Sequence, residues 1–259
     1  AILAERAGFK ALYLSGAGVA NASFGLPDLA LTHFDDLLTE ATRITDISPL
    51  PLLVDIDTGF RQEVSAKQLV TQLTDAGVAA IQIEDQIEQK RCGHLEGKKL
   101  VTSIKMQDRL EALIQAKTDT DFLVMARTDA YAVEGLHAAI QRAIDYQKVG
   151  ADMIFAESLS SLKDYKCFTD ALEIPVLANL TEFGQTPLFT VQELAAVNIA
   201  MLLYPLSAFR AMSRAALETY KTIKKTGSQK TIISNMQTRD ELYDLLNYDA
   251  YDDKSITEK

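Results

Sequence analysis

The sequence predicts an α/β fold of the (β/α)8 barrel type, and three observations carry that prediction. Short aliphatic or β-branched runs alternate with helix-length amphipathic stretches along nearly the whole chain. Runs apolar on both faces are what parallel strands covered by helices require. A weak internal repeat recurs at Ala7–Ser15, Ala76–Glu84 and Val149–Glu157: each begins at a helix-ending glycine and runs through a buried strand to a polar residue. The glycines stand roughly 70 residues apart, about two strand–helix units of a barrel. The length of 259 residues suits one large α/β barrel or two ordinary domains.

The expected strands are Leu12–Ser15, Leu52–Asp57, Ala80–Asp85, Phe122–Arg127, Met153–Glu157, Val176–Asn179 and Ile199–Tyr204. Between them, helices run from Ser65 to before Gly77, from about Gly135 to Gly150, and from Ser207 to Gly227. Serine at the start and glycine just past the end match the capping asymmetry of helices. Only seven strands are legible, and the chain opens on a helix, Ile2–Ala7, with no strand before it. The expectation is that the first barrel strand precedes Ala1, because a seven-stranded open sheet would leave an edge to cover. One barrel domain over 1–259 is expected, with a lid loop at about 86–103 and a C-terminal helical extension at about 228–259.

Composition narrows the function. Hydrophobic residues make up 47% and charged residues 24%, an ordinary globular balance. A net charge of −10 argues against a nucleic-acid surface, where a basic stripe is expected. No apolar run reaches the roughly 18–20 residues that span a bilayer, and no secretory leader is recognisable. Cys92 and Cys167 lie far apart with no CxxC pair, which fits a reducing, cytoplasmic location and no thiolate zinc site.

In a parallel barrel the active site lies at the C-terminal ends of the strands. Here those ends carry Ser15, Asp55 and Asp57, Glu84 and Asp85, Arg127 and Asp129, Glu157, and Asn179 and Thr181. Strand ends surface into water, so any one of these has an ordinary explanation; seven converging ends favour a functional rim. Asp55-Ile56-Asp57 would place two carboxylates on one strand face, their Cα atoms about 6.6 Å apart. With Glu84, Asp85 and Glu157 near, a hard divalent cation resolves the repulsion, and Mg²⁺ binds through few carboxylates.

The long connection Gln86–Ser103 carries Lys90-Arg91-Cys92-Gly93-His94 and has the length of a lid. The cations flanking Cys92 would favour its thiolate. His94 is an acid/base candidate, whereas His33, His137 and Cys167 read as ordinary surface or packing residues. Arg127 and Arg210 are candidate carboxylate forks, with Arg239 weaker on its own evidence. Tyr13-Leu14-Ser15-Gly16-Ala17-Gly18 allows close backbone approach to a ligand but is not a dinucleotide fingerprint, so phosphate cofactors are not indicated.

In order, Tyr-Leu-Ser-Gly-Ala-Gly, Asp-Ile-Asp-Thr-Gly-Phe, Ile-Glu-Asp-Gln, Lys-Arg-Cys-Gly-His, Ala-Arg-Thr-Asp-Ala, Asn-Leu-Thr-Glu-Phe-Gly and Leu-Tyr-Pro-Leu-Ser-Ala-Phe-Arg-Ala-Met run through the chain. With these motifs the sequence resembles the isocitrate lyase/phosphoenolpyruvate mutase superfamily, and the Cys-Gly-His lid resembles its lyase branch. The resemblance implies a Mg²⁺-dependent carbon–carbon lyase, a small tricarboxylate substrate, and a homotetramer whose C-terminal helices extend to a neighbouring subunit.

Matched motif by motif, the resemblance puts the metal on Asp55 and Asp57 with Glu84 in support. Substrate contacts fall on Ser15, Gly16, Ala17, Cys92, Gly93, His94, Arg127, Glu157, Asn179, Leu180, Thr181, Arg210 and, through Met-Gln-Thr-Arg, Arg239. Phe155 and Leu203 match positions beside an extra substrate methyl. The implied reaction is cleavage of 2-methylisocitrate to pyruvate and succinate, with Cys92 as the acid. Tyr13, Arg127 and solvent at the metal remain open as the base. Arg61 stands where glycine is expected and Leu95 where arginine is expected, the latter as in isocitrate lyases, so isocitrate cleavage is the alternative. Other superfamily reactions and a non-enzymatic binding barrel are more distant ones.

Overall fold

The computed structural model describes residues 1–252. These fall into two compact units, one made of Phe9–Pro205 with Ala1, the other of Ile2–Gly8 and the chain from Leu206 onward. In chain order the helices are α1 (Ile2–Arg6), α2 (Gly16–Phe24), α3 (Phe34–Thr45), α4 (Ala66–Asp75), α5 (Ser103–Gln115), α6 (Tyr131–Glu134), α7 (Leu136–Val149), α8 (Leu162–Ala171), α9 (Val191–Ala195), α10 (Ser207–Thr226), α11 (Arg239–Leu245) and α12 (Tyr248–Asp252). The strands are β1 (Leu12–Leu14), β2 (Leu52–Asp55), β3 (Ala80–Glu84), β4 (Leu123–Thr128), β5 (Met153–Ala156), β6 (Val176–Asn179) and β7 (Met201–Leu203).

The seven strands form one parallel sheet in sequential order, β1 to β7, curled into a nearly closed barrel. All seven expected strands are present. Most end one or two residues earlier than the apolar pattern suggests, because the polar residue after each strand has turned out of the ladder. Side chains alternate as the pleat demands. Leu52 and Val54, Val124 and Ala126, Ile154 and Ala156, and Val176 and Ala178 face the helices in the main core. Their neighbours Leu53, Met125, Met153, Phe155 and Leu177 join Ala80 in a smaller cluster inside the barrel. That inner layer is the floor beneath the strand ends.

Local sequence explains the helix boundaries. Ser65 caps α4 reciprocally with Gln68, and Gly150, in the left-handed region, ends α7. At α10 the expectation is off by one: Ser207 is the first helical residue, and Leu206 occupies the cap position at φ 58°. In the second unit Thr238 and Glu241 form another capping box at the start of α11, and Arg6 of α1 bonds Asp244. Many apolar side chains there are exposed, including Met212, Leu217, Tyr220 and Ile223 of α10. Among the described residues no helix is long and apolar enough to cross a membrane.

Candidate active site

The site is built where β2, β3, β4, β5 and β6 end. Asp55 closes β2, and its carboxylate accepts the Asp57 N–H at 3.1 Å and the Gly16 N–H at 3.4 Å. Asp57 is not on the strand: its φ of 50° places it in the left-handed region, so strand alternation is not what aims it. A tight turn does so instead, and the outcome expected from the sequence still holds. One carboxylate oxygen each from Asp55, Asp57 and Glu84 lies within 4.8 Å of the others, all three residues buried. A Cβ at Gly16 would stand 3.2 Å from both Asp57 oxygens, so the α2 N-terminus can come this close only without a side chain.

Two observations test whether this cluster fits a metal ion. Both carboxylate oxygens of Glu84 are buried without a hydrogen bond, a costly arrangement unless a cation is nearby. The donors are all carboxylate oxygens, the preference of hard divalent cations. The residues present therefore fit such an ion. Burial pushes the Glu84 carboxyl well above its ordinary range and raises Asp57 to about 6, with Lys90 opposing. The Lys90 ammonium contacts Asp57 and lies 2.8 Å from Asp28 Oδ1. Burial alone would lower its pKa, but Asp57, Glu84, Asp55 and Asp28 together carry it well above the usual lysine value.

Arg127, at the end of β4, is almost wholly committed to carboxylates of the protein. It forks onto Asp129 at 3.0 and 3.2 Å, reaches Glu157 at 3.3 Å and Glu84 at 3.4 Å, and lies over the Phe155 ring at 5.1 Å. Against the pull of burial, those three carboxylates raise its pKa well above its ordinary value. Tyr13 is half-buried, and its hydroxyl donates to Gln82 at 2.6 Å. Burial, then Asp55, pushes its ionisation well above the ordinary value, so in this environment it is a phenol.

The segment carrying Lys90 to Lys98 lies against these strand ends. His94 Nε2 pairs with Glu157 at 2.9 Å and lies 3.3 Å from Asn179 Nδ2, while its Nδ1 accepts the Gln185 N–H at 3.1 Å. The Gly93 carbonyl accepts from Ser158 Oγ at 2.8 Å and from Lys98. Burial would raise the Glu157 carboxyl, but Arg127 and His94 override it and hold the group well below the carboxylate range. For Cys92 the sequence expectation reverses. Burial, reinforced by Asp28 and Glu157, raises the thiol above its ordinary value, opposite to the shift the flanking cations suggest.

Several other expected residues find their places. Ser15 is the cap residue of α2, and Phe155 and Leu203 meet in the inner floor. The Leu180 side chain is in the main core, and its N–H donates to the Leu203 carbonyl at 2.8 Å. Thr181 is buried just beyond β6. Arg210 in α10 and Arg239 at the start of α11 belong to the second unit. Arg61 and Leu95, the two departures from the family pattern, are exposed, and Cys167 is half-buried on α8. His33 caps α3 beside Glu63, and His137 is exposed. The sequence reading missed Asp28, Lys98, Ser158 and Gln185. Only Asp28 left a trace, in the Gly25-Leu26-Pro27-Asp28 turn signal.

A family profile for phosphoenolpyruvate phosphomutase matches residues 1–224. The 2-methylisocitrate lyase of Escherichia coli (strain K12) is 53% identical over 255 residues, covering 98% of this chain and 86% of that protein. Among solved structures, 2,3-dimethylmalate lyase superposes with a TM-score of 0.88 at 31% identity, over 96% of this chain and 84% of the other. Oxaloacetate acetylhydrolase in complex with the inhibitor 3,3-difluorooxalacetate gives 0.89 at 31% identity, over 96% and 85%. With the carboxylate cluster and docked Cys-Gly-His segment at the strand ends of a parallel barrel, these likenesses show that the chain belongs to the phosphoenolpyruvate phosphomutase family, together with the 2-methylisocitrate lyases.

Proposed function

We propose that the protein cleaves 2-methylisocitrate to pyruvate and succinate with a divalent cation, Mg²⁺ by the chemistry of its donors. The observation that carries this reading is the buried Asp55–Asp57–Glu84 cluster at the strand ends, with the Cys92-bearing segment tied to it through the Lys90–Asp57 pair, in a chain 53% identical to a 2-methylisocitrate lyase. Asp55 and Asp57 would hold the cation with Glu84 in support. Bound there, the cation would supply Lewis-acid polarisation of the substrate's hydroxyl and carboxylate oxygens.

The chain's own residues do the rest. The substrate hydroxyl loses its proton, the bond between the hydroxyl-bearing carbon and its neighbour breaks, and the electron pair passes to the succinate carbon. Cys92 delivers its S–H proton to that carbon, for which a raised thiol pKa suits it. Tyr13, as its phenolate, is the candidate acceptor of the hydroxyl proton, a role that requires its own proton to be lost first against burial and the carboxylates around it. Gly16, Ala17 and Ser15 offer backbone and hydroxyl donors at the α2 N-terminus, where negative charge is favoured. Asn179, His94 and Arg127 face the developing dianion, with Glu157 orienting the last two. Phe155 and Leu203 would pack against the substrate methyl.

Leu95, the departure that favours isocitrate, is exposed to solvent. A cytoplasmic homotetramer belongs to the same reading, supported by the exposed apolar residues of α10. The deciding experiment compares pyruvate release from 2-methylisocitrate with glyoxylate release from isocitrate, each with Mg²⁺ and with EDTA. Mg²⁺-dependent pyruvate at the higher kcat/KM is expected; preference for isocitrate would overturn the methyl pocket.

A further inference from the structure

We propose that Lys98 is a positioning residue that locks the Cys92-Gly93-His94 segment onto the strand ends and couples its seating to the orientation of Arg127. The proposal rests on the cleavage reading above, and extends it to a residue outside the matched motifs.

Lys98 is the second of the lid's buried cations. Its side chain is 1% exposed, and its ammonium lies 2.9 Å from Asp129 Oδ1. The same ammonium donates to the Gly93 carbonyl, within the lid itself. An ammonium has three protons to place, and one buried to this degree is tolerable only where partners take them. Here one partner belongs to the lid and the other to the end of β4. Lifting the lid would draw Lys98 out of this pocket and leave Asp129 with one counter-charge fewer.

Asp129 makes the contact more than a clasp. It is fully buried, and its two oxygens also hold the Arg127 guanidinium at 3.0 and 3.2 Å. Its N–H is fixed by Asp85 Oδ1 at 2.9 Å, so the carboxylate has a settled position. One carboxylate thus receives both the lid's ammonium and the guanidinium that reaches Glu157 and Glu84. Arg127 keeps this alignment best when Lys98 shares Asp129. Ser158 Oγ, the second donor to the Gly93 carbonyl, supports the same seat without carrying charge. Lys99, the next residue, is exposed and provides a natural contrast.

The experiment compares Lys98→Met, Lys98→Arg, Lys99→Met and Ser158→Ala with the unaltered protein. The first readout is the rate of Cys92 alkylation by iodoacetamide, resolved from Cys167 by peptide mass mapping, with no substrate present. Cys92 should react about tenfold faster or more in Lys98→Met and several-fold faster in Ser158→Ala, because both favour local opening of the lid. Cys167 should be unchanged in every variant, and Lys99→Met should match the parent. In turnover of 2-methylisocitrate, kcat should fall about 100-fold in Lys98→Met with a smaller change in KM, and Lys98→Arg should recover part of it. Cys92 rates within twofold of the parent in both Lys98→Met and Ser158→Ala would overturn the proposal, as would equal kcat values for Lys98→Met and Lys99→Met. Should Lys98→Met fail to fold, Ser158→Ala decides by the same alkylation rate. Because that readout needs no substrate, a parent protein inactive on 2-methylisocitrate would sink the assigned reaction and leave the latch to be judged separately.

Discussion

Replacing Gly93 by alanine probes how tightly the lid must seat. A Cβ at this position would overlap Arg127 Nη2 and stand 2.7 Å from Glu157 Cγ and Cδ, closer than packed carbon atoms tolerate. Neither neighbour can retreat freely. Glu157 is 1% exposed, and Arg127 is held on three sides by Asp129, Glu157 and Glu84. Breaking a buried ion pair costs about 3–5 kcal/mol, whereas forcing an extra carbon into a packed region costs about 1–3 kcal/mol. The segment therefore shifts locally rather than breaking the Arg127 pairs, straining the Ser158–Gly93 and Glu157–His94 contacts while the Lys98–Asp129 pair holds. A penalty of about 2–3 kcal/mol on the seated lid corresponds to roughly a 30- to 150-fold loss in kcat/KM, at 1.36 kcal/mol per tenfold. Steady-state pyruvate release with saturating Mg²⁺ measures it, and a thermal melt checks that the barrel is intact, with Tm expected within about 3 °C of the parent. A loss below threefold would refute the reasoning, since it would mean turnover does not need this seat. A large fall in Tm with kcat preserved would refute it differently, by showing that the ion pair yields before the lid.

Cys92→Ser should abolish turnover while leaving product binding nearly intact by calorimetry; substantial residual activity would exclude Cys92 as the acid. Asp57 carries a pH signature. Its folded pKa of about 6 is raised, so its contribution to stability is fully present below the unfolded value of about 4 and lost as pH rises through 6. Cation binding must displace that proton and the one burial holds on Glu84, so Mn²⁺ or Mg²⁺ affinity should strengthen with pH through about 6 and above, up to tenfold per pH unit for each proton released. In Asp57→Asn that dependence should flatten as affinity falls, and a pH-independent affinity in the parent protein would contradict the assignment. Phe155→Leu should narrow the kcat/KM preference for the methylated substrate over isocitrate and cost about 1 kcal/mol in stability measured by urea unfolding. An unchanged preference would place the methyl elsewhere.

The sequence by itself determined the barrel's strands and most of its helix ends. Apolar runs such as Val176–Asn179 and caps such as Ser65 and Gly150 are local signals, decided within a few residues by side-chain alternation and backbone sterics. It also determined which carboxylates meet, because Asp55 and Glu84 lie at the ends of neighbouring strands whose register follows from the fold class. Tertiary structure decided the charge state and the commitments of those groups. The cations beside Cys92 in sequence suggest a thiolate, yet Lys90 turns to Asp57 and Asp28, and burial raises the thiol above its ordinary value. Arg127 reads as an open fork for substrate, yet Asp129, Glu157 and Glu84 take most of its donors. Ionisation depends on desolvation and on charges brought near through space, and residues such as Lys98 and Asp129, 31 positions apart, become partners only when the lid folds back onto the barrel.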